Sequence, residues 1–112
     1  MSGIFSEKMT VYRREGEGWA RRVYGGVFLK MKAEERETEG GMRVFMPVMQ
    51  ARVLGGECPA MAGDIAVPGV GPEIAGAKEM EEMRRAGECY RVVEVSDNTR
   101  GRRLGHWKIV AQ

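Results

Sequence analysis

The side chains able to do conventional chemistry are few. His106 would need a nucleophile and an orienting acid to work as a general base. No serine sits in a recognisable nucleophile elbow, and Asp64 or Asp97 could orient the ring only if the fold carried them to it. Cys58 and Cys89 stand far apart with no second cysteine beside either. With His106 they make three ligands at most, short of the four a structural zinc site takes, so both read as buried free thiols. Gly69-Val70-Gly71 ahead of a helical stretch invites a phosphate-loop reading, but the lysine and the remaining glycines of such loops are missing. It reads as a turn that lets a strand leave and a helix begin. The chain is therefore expected to be no enzyme, and to use no cofactor, metal or small-molecule substrate.

The arginines carry more information. Arg13, Arg14, Arg21 and Arg22 fall on two adjacent candidate strands, Arg100, Arg102 and Arg103 crowd one loop, and acids gather at residues 34–39 and 79–82. Clustered guanidinium groups suit the phosphates of nucleic acid. They equally suit acidic faces of neighbouring subunits. A reader of single strands would also need exposed aromatic rings for stacking, and most of the eight Phe, Trp and Tyr residues are needed for a core. The nine methionines are many for this length. Met31, Met42, Met46 and Met49 are candidates to line an interface or to fill the core.

These residues sit in a chain of 112 residues with a net charge of +2, which is room for one domain and one modest core. Sixteen glycines, about twice the usual share, imply many turns between short strands. No apolar run is long enough for a membrane span or a signal segment, so a soluble, intracellular protein with no membrane contact is expected. Residues 8–14 read as a first strand. Gly25-Gly26 then marks a hairpin or a bulge between Trp19–Tyr24 and the alternating run Val27–Met31. Residues 33–41, polar and closed by Gly40-Gly41, read as an exposed loop or hairpin tip. A strand from Met42 carries Pro47, which requires an edge or a bulge there. Residues 55–63 form an irregular crossing, and 63–69 a short strand bracketed by turn residues. Apolar residues every third position predict one helix over 73–86, ended by Gly87. Residues 89–95 and 104–111 make a final hairpin around a basic loop. The fold expected is mainly β: a small antiparallel barrel or sandwich of six to seven strands with one inserted helix.

The C-terminal residues are less generic. Tyr90–Gly101, with Asp97-Asn98-Thr99-Arg100-Gly101, followed by Leu104-Gly105-His106-Trp107-Lys108-Ile109, resembles the strand, D-N-x-R-G, loop, H-W-K-V ending of a family of small proteins of tailed phages and prophages of Gram-positive bacteria. Gly63-Asp64-Ile65-Ala66-Val67-Pro68-Gly69 resembles the family's G-D-x-I-x-x-G element. The likeness covers about a quarter of the chain. It implies a head-closure or stopper component of the head-to-tail connector: a β-barrel forming a ring with copies of itself, in contact with neighbouring connector or tail proteins and with DNA in the channel. Its place would be the virion, assembled in the bacterial cytoplasm. The motif residues Gly63, Asp64, Asp97, Asn98, Gly101, His106 and Trp107 read as structural. Asp64 and Asp97-Asn98 would accept backbone N–H bonds in turns, Trp107 would be a buried anchor whose indole needs one acceptor, and His106 would point to the other face of its strand. The alternative to the connector is a barrel-fold nucleic-acid-binding module using Arg100, Arg102 and Arg103.

Overall fold

The computed structural model describes residues 7–54, 56–87, 89–100 and 105–112. Six strands and one helix follow in the order β1 (Glu7–Glu15), β2 (Gly18–Glu37), β3 (Arg43–Leu54), β4 (Ile65–Pro68), α1 (Ala77–Arg85), β5 (Tyr90–Asn98) and β6 (His106–Ala111). All pairings are antiparallel. The sheet order β1-β2-β3-β6-β5-β4 closes on itself because β4 also pairs with β1. The mainly β architecture expected from the turn spacing is thus present, with six strands and one short helix among the described residues. Among the described residues no helix is long and apolar enough to cross a membrane.

Period-two alternation places the core. Met9 and Val11 of β1, Val27 of β2, Ala51 and Val53 of β3, Ala66 of β4, Val92 of β5 and Ile109 of β6 point inward and form one buried cluster. A second cluster lies on the outside of the wall, where Tyr12, Ile65 and Val67 meet Ile74 of the segment before the helix and Met80 of α1. The helix is therefore a cover over β1 and β4.

Gly25-Gly26 is a bulge and not a hairpin. Glu7 pairs with Val27 and Met9 with Tyr24, so two glycines stand opposite Lys8, and Gly26 takes the left-handed φ of 64°. The extra residue lets both Tyr24 and Val27 face the core. The two expected strands are consequently one strand of 20 residues.

Two other expectations are corrected. The helix begins at Ala77, four residues later than expected: Gly76 before it is extended (φ −163°, ψ −167°), and residues 71–72 are tethered to the sheet by Arg21 and Tyr12. Its end is as expected: Gly87 has φ 94° and donates to the Arg84 carbonyl. The acidic segment 33–37 is strand and not loop, its residues pairing with Arg43–Pro47, so that only residues 38–42 turn. Cross-strand neighbours outweighed local polarity there. Arg36 lies 3.6 Å from Glu34, and Arg43 lies 3.2 Å from Glu35.

Candidate functional site

The strand pairing leaves one part of the molecule without a wall. β6 pairs with β3 only over Met49–Leu54, and β1 pairs with β2 only as far as Val27. Six further β2–β3 pairs, Lys32 with Val48 through Glu37 with Arg43, have no third strand on either side among the described residues. They form a two-stranded arm about 20 Å long at the usual strand rise. Pro47 lies on this arm, at the edge its missing N–H requires.

The arm carries an apolar strip that continues the core. Leu29, Met49, Ala51 and Val53 belong to the inner face of β2 and β3. Alternation extends that face outward through Met31, Ala33, Pro47 and Phe45. There it is uncovered: Phe45 is 72% exposed and Met31 49%. Met42 in the turn is 68% exposed, and Met46 on the opposite face 38%. Met49 is fully buried, so of the four methionines proposed for an interface it alone belongs to the core. Sequence reading missed Phe45, because an acidic segment taken for a loop gave no reason to ask which face its partner strand presents.

A second constellation is structural. Thr10 donates its hydroxyl to the Gly69 carbonyl at 2.7 Å and accepts from the Gly71 N–H at 2.8 Å. Gly69 N–H is taken by the Lys8 carbonyl. Arg21 donates twice to the Gly71 carbonyl, at 2.9 and 2.7 Å, and Tyr12 donates to the Pro72 carbonyl at 2.6 Å. The Gly69 and Gly71 amides are therefore engaged by β1, as a turn leaving that strand would have them. Burial pushes the Tyr12 phenol above the ordinary tyrosine value, partly offset by the Arg21 guanidinium.

The motif residues are placed as follows. Asp64 is buried, accepts the Met61 N–H at 2.9 Å, and pairs with Arg13 at 3.1 Å. The turn-capping role expected for it is present, and the ion pair is an addition. Gly63 has φ 98°, a conformation that favours glycine. Asp97 accepts both the N–H and the hydroxyl of Thr99, and these bonds hold its carboxyl below the usual carboxylate range. Asn98 pairs with His106 across the hairpin. His106 and Trp107 fall on opposite faces of β6. Trp107 is half-buried, not a fully buried anchor, and its indole N–H donates to the Gly56 carbonyl at 3.2 Å. Arg100 is exposed, while Gly101, Arg102 and Arg103 lie outside the described residues.

The arginines of β1 and β2 are partly committed to the fold, Arg13 to Asp64 and Arg21 to Gly71. Arg13, Arg22, Tyr24 and Cys58 line a cleft of about 240 Å³. Cys58 is exposed, contrary to the buried thiol expected, because the crossing segment is exposed through Glu57 and Cys58 and enters the core only at Pro59 and Ala60. Cys89 is half-buried against the helical cluster, and burial raises its thiol pKa. Among the described residues no group of three or more His, Cys, Asp or Glu stands together as metal ligands would. No family model, curated protein or solved structure matches the chain.

Proposed function

We propose that this protein is a structural component of a tailed-phage or prophage head-to-tail connector, of the head-closure or stopper kind or from an adjacent neck ring, acting by protein–protein contact. The observation that carries the reading is the β2–β3 arm. A strip contiguous with the core emerges from the barrel at Met31 and ends at Phe45 without a covering element among the described residues. Burying a large apolar side chain is worth about 1.5–3 kcal/mol, so Met31, Met42 and Phe45 together represent a substantial driving force for association. Methionine suits such a surface because it repacks against what it meets. In a ring, the arm of one copy would lie on the body of the next through heterologous contacts. The resemblance of residues 63–69 and 90–109 to the connector family supplies the biological setting.

The genes flanking the coding sequence test this directly. Portal, capsid and tail-tube genes are expected on either side. A stable setting among metabolic genes, repeated in other genomes, would overturn the reading.

A further inference from the structure

The strand register gathers cations that lie far apart in the sequence. Phe28, Lys30 and Lys32 alternate with core residues on β2 and so face outward. Arg52, between the buried Ala51 and Val53, pairs with Phe28 on one side and with Lys108 on the other. Lys30 pairs with Gln50, one step along the same face. Lys30, Lys32, Arg52 and Lys108 thus share one outer face across three neighbouring strands, with diagonal neighbours about 7–8 Å apart, although Val48, the partner of Lys32 on that face, is fully buried.

None of the four enters an ion pair among the described residues. Acids border the group: Glu34 follows Lys32 on that face of β2, Glu94 is the diagonal neighbour of Lys108, and the Glu7 carboxylate accepts the Leu29 N–H at 2.9 Å. Glu34 lies by Arg36, and Glu94 accepts the Ser96 hydroxyl at 3.3 Å. Arg100 follows Asn98 at the end of β5, so exposed positive charge continues past the strand end. Lys30, Lys32 and Arg52 are exposed and Lys108 half-buried.

We propose that this face binds the phosphate backbone of nucleic acid through Lys30, Lys32, Arg52 and Lys108, without reading base sequence. Four cations gathered without an ion-pair partner, with the Glu34 and Glu94 carboxylates at the edges of the group, suit a continuous polyanion. An acidic protein surface would ask for partners at discrete points, and lysine, a flexible point charge, provides little of that geometry. The face is distinct from the Arg100–Arg103 loop considered from sequence, and the inference does not rest on ring assembly.

The test is fluorescence anisotropy of a labelled random-sequence DNA duplex titrated with the full chain over a salt series. Four neutralised phosphates predict a slope of about −3.6 in log affinity against log salt, roughly a hundredfold loss between 50 and 200 mM. Lys30→Gln with Arg52→Gln should lower the slope magnitude by about 1.8. Arg14→Gln with Arg22→Gln changes net charge equally and should leave it unchanged. Circular dichroism confirms that each variant is folded, and Lys32→Gln with Lys108→Gln serves as the second pair if the first is not. Absence of binding in dilute salt would overturn the proposal. Equal loss in the Arg14/Arg22 variant, or competition by poly-glutamate as strong as by DNA at equal charge, would overturn it too, the latter in favour of an acidic protein partner. Ring formation is read separately by imaging, so failure here leaves the connector reading to its own test.

Discussion

Met31 and Met49 are register partners on the same face of the β2–β3 ladder, yet Met49 is fully buried and Met31 is half exposed. The core ends between them. Inward, Leu29 and Ala51 on that face pack into the core; outward, Ala33 and Pro47 on the same face are exposed, while Val48 on the opposite face is still buried. Beyond Met31 that face carries Ala33, Pro47 and Phe45 before the charged Glu35, Glu37 and Arg43, so a short apolar strip runs on where no strand faces it among the described residues, as an assembly contact would require.

The clamp on residues 69–72 gives the first prediction. A Cβ at Gly71 would collide with the Tyr12 hydroxyl, which itself donates to Pro72. Gly71→Ala should destabilise the fold by about 1–3 kcal/mol through overpacking, and Tyr12→Phe by about 1 kcal/mol through the lost hydrogen bond. Because both act on one contact, chemical denaturation of the double variant should show less than the sum. Strict additivity would refute the contact.

Tyr12 also predicts an alkaline response. Its folded-state pKa lies above the ordinary tyrosine value through burial, so the fold favours the neutral phenol. The resulting stability is present below the unfolded pKa and is lost as pH rises through the raised folded one. Tyr12→Phe should therefore be the less stable protein near neutrality and close that gap above about pH 10. A gap that stays constant to high pH would contradict the burial of the phenol.

Asp64 and Arg13 should be unequal partners. Asp64 is buried and also accepts the Met61 N–H, whereas the Arg13 side chain is 49% exposed. Asp64→Ala strands that N–H and is expected to cost about 1–3 kcal/mol. Arg13→Ala is expected to cost about 1 kcal/mol or less, since solvent screens the pair. Thermal unfolding of the two variants checks the order, and a larger loss from Arg13→Ala would reverse the assignment.

Much of the fold was legible because period-two alternation and glycine placement are local signals. Val27–Met31, Gly87 after the helix and the turn at Asp64 all read correctly from neighbouring residues. The arm was not legible, because Ala33-Glu34-Glu35-Arg36-Glu37 is strand only through its pairing with Arg43–Pro47. The same holds for the basic face. Lys30 and Lys32 show their spacing in the chain, but nothing local says that Arg52 and Lys108 stand beside them. The tether that precedes the helix likewise depends on Tyr12, which lies 60 residues away from the carbonyl it holds.

The connector reading rests on the arm, and electron microscopy addresses it most directly. Negative-stain images of the chain mixed with the portal and adaptor rings encoded beside it should show an added ring of density at the portal's tail end. Met42→Ser with Phe45→Ser should abolish that density while the circular dichroism spectrum stays unchanged. Rings that form equally well with the substituted arm, or bare portal complexes with the wild-type chain, would contradict the account.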